Sequence, residues 1–131
     1  MLIDKIAWIR LEGGRILSTR SKGKDVYYIP GGKREGRETD LETLAREIRE
    51  ELSVDILPKT ARLYGVFEAQ AHGHAEGVIV RMTCYTADFR GELKPDSEIA
   101  EMVWLTTADI GSVSPVDKLI FADLQAKGLL D

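Results

Sequence analysis

The stretch GKREGRETDLETLAREIREELSV, residues 32–54, opens on a glycine and two cations and passes into a helix whose faces differ in kind. From Thr39 onward Leu41, Leu44, Ala45, Ile48 and Leu52 recur at spacings of three and four, which predicts one apolar face of an amphipathic helix. Thr39 or Asp40 suits the N-cap, and Pro58 lies beyond the helix end. Glu47, Glu50 and Glu51 stand at i, i+3 and i+4, so all three project from a second face. Three adjacent carboxylates repel one another, and such a cluster costs free energy unless cations neutralise it. Oxygen-only ligation of this kind suits Mg²⁺ or Mn²⁺. The alternative is a solvated face with Arg46 and Arg49 interleaved as partners.

Working outward, the order of elements predicts an α+β chain built as a mixed-sheet sandwich. Lys5 to Leu11 and Arg15 to Arg20 read as two strands around the turn Glu12-Gly13-Gly14. Val26 to Ile29 is a short aromatic and β-branched run, stopped by a loop at Pro30-Gly31-Gly32. Beyond the helix, Arg62 to Ala69, Val78 to Ala87 and Glu101 to Leu105 read as strands. Ser114-Pro115 then opens a last helix through Ala126, with Leu119, Ile120 and Leu124 inward and Gly128 past its end. Neither a repeat nor a linker interrupts 131 residues, so residues 1–131 are expected to form one domain.

Composition narrows the function classes. The chain is 44% hydrophobic and 31% charged, a globular mixture with no apolar stretch long enough to span a membrane. One cysteine, Cys84, excludes an intramolecular disulfide and a multi-cysteine zinc site, and its place mid-strand beside Met82 reads as core. With no signal-peptide cleavage pattern at Met1-Leu2-Ile3-Asp4-Lys5, a cytoplasmic location is expected. A net charge of −4 disfavours a polynucleotide partner, yet it conceals a division. Residues 15–37 carry seven basic against two acidic residues, whereas residues 38–55 carry seven acidic against two basic. A basic segment running into an acidic one suits a small polyanion bound together with cations. No Gly-x-x-x-x-Gly-Lys-Ser/Thr loop occurs, so a kinase-type P-loop is excluded.

Gly32, Glu38, Arg46-Glu47, Ile48, Glu50-Glu51 and Val54 then stand at the spacings of a known signature, and the segment resembles that of the Nudix hydrolases. That signature has a second glycine where this chain has Ser53, a change at the helix C-terminus that touches no charged position. The order Glu35-Gly36-Arg37-Glu38 also departs from the usual Glu-x-Gly-Glu. The resemblance implies the α/β/α Nudix sandwich and hydrolysis of a phosphoanhydride in a nucleoside diphosphate linked to another group, X. It implies that Glu38 pairs with Arg46 to brace the loop. It further implies that the Gly31 carbonyl joins Glu47, Glu50 and Glu51 around Mg²⁺ or Mn²⁺, with Glu50 and Glu47 central to catalysis.

By the same resemblance Arg20, at the end of a strand, sits where MutT-like members place a phosphate-binding arginine. Glu98, six residues before Trp104, matches a loop glutamate that supplies a further metal contact or base, with Glu101 as competitor. Lys33 can reach a terminal phosphate or lie in solvent. Tyr28, or Tyr27 beside it, is a candidate to stack on a base, an edge-strand role being the alternative. Asp117 opens the last helix where the MutT-like group often meets a purine edge, and a first-turn acid that complements the helix dipole is the competing role. His72 and His74 belong to a substrate-side loop, since too few ligands surround them for a transition metal.

Motifs that mark NADH, coenzyme A, ADP-ribose and dinucleoside-polyphosphate relatives do not occur in this chain. The resemblance therefore points to the MutT-like group, which cleaves nucleoside triphosphates, oxidised ones included, to monophosphates. ADP-ribose or nucleotide-sugar hydrolysis and a non-catalytic nucleotide-binding module are the alternatives. Oligomeric state is left open, a homodimer included.

Overall fold

The computed structural model describes all residues, Met1–Asp131. Its first strand, β1 (Leu2–Trp8), sorts its side chains by alternation. Ile3 and Ala7, with Ile9 just beyond the strand, enter one core, while Ile6 and Trp8 enter another on the opposite face. β1 lies inside a four-stranded sheet in the order β4-β1-β7-β6, with β4 at Gly31–Lys33, β6 at Arg62–Gln70 and β7 at Ile79–Thr86. It runs antiparallel to β4 and parallel to β7, so the sheet is mixed. Helix α1 (Asp40–Leu52) covers one face through Leu44, Ile48 and Leu52. Helix α2 (Pro115–Ala126) covers the other through Val116, Ile120, Phe121 and Leu124. The result is the expected α+β sandwich, with sheet between helices. A second sheet joins β2 (Leu11–Glu12), β3 (Arg15–Ser21) and β9 (Ile99–Leu105), and a short pair joins β5 (Asp55–Ile56) to β8 (Phe89–Arg90).

Local chemistry accounts for the α1 boundaries. Thr39 accepts a hydrogen bond from the Glu42 amide while Glu42 accepts one from the Thr39 amide, a reciprocal cap. At the other end Ser53 adopts φ 64°, the left-handed conformation that the signature's glycine would adopt without strain.

Three expectations need correction. The strand expected over Lys5 to Leu11 breaks after Trp8, and the glycine turn joins only β2 to β3. Pro30-Gly31-Gly32 is not all loop, because Gly31 and Gly32 open β4 opposite Ala7 and Ile6. Gly31 has φ 146°, and a Cβ there would collide with the Ile6 carbonyl oxygen, so glycine permits the close pairing that its loop-like composition conceals. Leu119 faces outward at 47% exposure, since the buried stripe of α2 runs through residues 116, 117, 120, 121 and 124.

Candidate active site

Strand β4 and helix α1 hold the carboxylates against glycine backbone. Gly32 has no Cβ, and the space a Cβ would fill is taken by the Glu47 carboxylate. The Gly31 amide donates to Glu51 Oε1 at 3.3 Å, so its carbonyl is the group left to the expected metal role. Glu51 is pushed up to about 8 by burial and then by the neighbouring charge of Glu47. Burial likewise raises Glu47, against the opposing pull of Arg46. Glu50 is the most open of the three, and its nearest cation is Arg46 Nη1 at 3.6 Å.

Arg46 organises the loop around them. Its Nε and Nη2 donate to the two carboxylate oxygens of Glu38 at 2.7 and 2.9 Å, in a fork. Nη1 reaches Glu47 at 2.8 Å, and Nη2 also reaches the Lys33 carbonyl at 3.0 Å. The guanidinium holds Glu38 down to about 2, well below the usual carboxylate range. The pairing implied by the sequence resemblance is therefore present.

The donor set suits a hard divalent cation in its chemistry. Three carboxylates share one helix face, and after burial it is the charge of a neighbouring carboxylate that raises Glu51, through Glu47, while Glu50 adds to the rise of Glu47 against the pull of Arg46. Their geometry is not yet a closed cage, because no three acidic or histidine side chains converge. Glu47 is turned to Arg46 and Glu51 to Gly31, so ligation would require these side chains to rotate.

A cavity of about 280 Å³ opens beside this cluster, lined by Lys5, Tyr28, Gly31, Lys33, Glu51 and His72 among others. Tyr28 and Lys33 thus line the same cavity as Glu51. Arg20 does not: Thr19 and Ser21 line the cavity, whereas Arg20 pairs with Glu101 at 3.0 Å and donates to the Lys24 carbonyl. Tyr27 also donates to Glu101, which engages the competitor of Glu98 in a small surface network.

Glu98 lies on a loop tied to α1 itself. The Asp96 amide donates to the Glu51 carbonyl at 2.9 Å, and Ser97 Oγ donates to the Glu50 carbonyl at 3.1 Å. These bonds bring the Glu98 backbone to the carboxylate end of the helix. Asp117 stands in the first turn of α2 as expected, but it is fully buried and absent from the cavity lining, away from the place expected for a purine edge. Its Oδ2 accepts from the Ile29 amide at 2.8 Å, pinning the Tyr28–Ile29 segment to α2. Burial pushes it up to about 7.

Lys5 is the cavity residue that the pattern reading passes over. Its signal is present in the strand: a lysine interrupts the row Ile3, Ala7, Ile9, which is otherwise apolar and faces α2.

Comparison with known proteins agrees with this architecture. A family model described as NUDIX domain matches residues 5–124. No curated protein was found to match the chain. Among solved structures, the E. coli ORF135 protein superposes with a TM-score of 0.76 at 24% identity, covering 95% of this chain and 89% of that one. A MutT NUDIX hydrolase from Burkholderia pseudomallei gives 0.71 at 22% identity, covering 94% and 97%. The MutT protein of Methanosarcina mazei Go1 gives 0.76 at 19% identity, covering 97% and 95%. At these identities the likeness carries the fold, while the family model spans nearly all of the chain, and with the carboxylate helix and its Arg46–Glu38 brace in place the chain belongs to the Nudix hydrolase family.

Proposed function

We propose that this Nudix pyrophosphohydrolase cleaves a nucleoside triphosphate to the monophosphate and pyrophosphate, with Mg²⁺ or Mn²⁺ held by Glu47, Glu50, Glu51 and the Gly31 carbonyl. The observation that carries the reading is three carboxylates on one face of α1, two of them set against the glycine strand, with Glu51 in the wall of a cavity that Lys33 and Tyr28 also line. A divalent cation held by these groups would supply screening of the phosphates and a water of lowered pKa. Lys33 offers an ammonium to a phosphate oxygen, and Tyr28 offers a flat surface to the base. We assign Glu98 the role of taking a proton from the attacking water, a reading supported by the bonds that fasten its loop to the Glu50 and Glu51 carbonyls. Arg20 would have to leave Glu101 before it could bind phosphate, so it takes no part in this reading.

Phosphate release from a panel of nucleotides, with Mg²⁺ and then with chelator, tests the proposal. Glu50→Gln keeps the side-chain shape and removes one charge, so turnover should fall by about a hundredfold or more while the variant stays folded. Near-normal kcat in that variant at saturating Mg²⁺ would overturn it.

A further inference from the structure

Lys5 and Lys33 are direct partners across β1 and β4. Opposed residues of an antiparallel pair point to the same side of the sheet, and both line the cavity beside Glu51. Two like charges in that relation repel each other. The Lys5 ammonium is half-buried and takes part in none of the ion pairs of the chain. The Tyr28 ring centroid lies 5.5 Å from Nζ, a contact that steadies a cation without neutralising it. Burial and the charge of Lys33 both lower its proton affinity, partly opposed by Asp117, Glu51 and Glu47. Lys24 lines the same cavity, and the single acid in its wall, Glu51, belongs to the carboxylate cluster. An unpaired ammonium held in a cavity opposite another lysine lowers stability, and an anion lying between the two removes that cost.

We propose that Lys5 and Lys33 form an anion site that selects substrates in which X is itself a phosphate, so that nucleoside triphosphates are taken in preference to nucleoside diphosphates joined to a neutral sugar. The inference rests on the proposed hydrolysis and sharpens it, because it separates triphosphates from ADP-ribose and nucleotide sugars. Lys5 acts here as a specificity-determining residue, and its effect belongs in KM. A neutral sugar leaves the pair uncompensated, whereas a phosphate oxygen accepts a charge-assisted hydrogen bond from each lysine.

Steady-state kinetics with Mg²⁺ should compare ATP and GTP with ADP-ribose and ADP-glucose. Wild-type kcat/KM is expected to favour the triphosphates at least tenfold. Lys5→Met should reduce that preference about tenfold through a higher KM for the triphosphates, and Lys5→Arg should restore part of it. Lys118→Met, on the exposed face of α2, should leave the preference as it is. A wild-type preference for the neutral sugars, or an equal loss on both classes in Lys5→Met, would overturn the proposal. Should none of the four compounds be hydrolysed, the hydrolytic reading fails, and calorimetry with inorganic tripolyphosphate and metal-free protein still decides the site. Binding at least tenfold weaker in folded Lys5→Met supports the site, and equal affinity or no binding to wild type overturns it.

Discussion

Arg46 shows how one side chain can hold a loop, a helix and a carboxylate together. Its planar fork satisfies both oxygens of Glu38 and still leaves Nη1 for Glu47 and a second bond from Nη2 to the Lys33 carbonyl. A lysine carries the same charge but offers donors from a single point, so it cannot meet Glu38 in two bonds and also restrain Glu47. Arg46→Lys is therefore expected to lower kcat about tenfold or more, with a smaller change in KM, because Glu47 is left free to wander. Steady-state kinetics of the variant checks this, and an unaltered kcat would reduce the guanidinium to a replaceable charge. The brace should also be insensitive to ordinary pH. Glu38, held down to about 2, stays ionised above that value, so its contribution is present above the usual carboxylate range and lost only as pH falls towards 2.

At the scale of elements, α1 was legible from end to end, because its apolar stripe, its cap and its acids each obey a local rule. Thr39 caps with Glu42 as the spacing requires, and Thr39→Ala should cost about 1 kcal/mol in chemical denaturation. Ser53 makes the opposite case, since it occupies a left-handed position at φ 64° where glycine carries no Cβ penalty. Ser53→Gly should add up to about 1 kcal/mol, reduced by the loss of the bond from Ser53 Oγ to the Lys94 carbonyl. A lower midpoint in that variant would mean that this loop bond outweighs the backbone strain. What could not be read locally has one physical cause, namely partners distant in sequence. Gly31 and Gly32 look like a turn until Ile6 and Ala7 are known to lie beside them. Arg20 looks free until Glu101, eighty-one residues away, is brought to it by the β3–β9 pairing. Asp117 is the first-turn acid that its spacing predicts, but nothing local shows that the Ile29 amide meets it. Lys5 was legible in principle, since only alternation was needed to see a charge in an apolar row.

For the whole molecule the sandwich imposes a pH dependence, because it closes over an acid. Asp117 is fully buried between α2 and the Tyr28–Ile29 segment, and its Oδ1 has no hydrogen-bond partner. The Ser114 hydroxyl beside it falls short of hydrogen-bond geometry as well. Burial raises Asp117 from an ordinary 3.8 to about 7, so between those values the native protein holds a proton that the unfolded chain has released. Stability must then fall as pH rises from about 4 to 7 and level off above, which is the reverse of a paired carboxylate. Glu38, Asp40, Glu101 and Asp123 are held low by their partners and act in the opposite sense, losing their contribution as the solution turns acid. Glu51, pushed up to about 8, and Glu47 reinforce the first of these two trends in metal-free protein. Asp117→Asn isolates the share of Asp117, because its amide oxygen can still accept from Ile29 while no charge remains to desolvate. In metal-free buffer the variant should match wild type near pH 4 and exceed it at pH 8, by at most roughly 4 kcal/mol. Unfolding free energies measured at pH 4, 6 and 8 for both proteins give the difference curve. Parallel profiles would show that Asp117 is ionised throughout and that the junction between α2 and the cavity wall tolerates a buried charge.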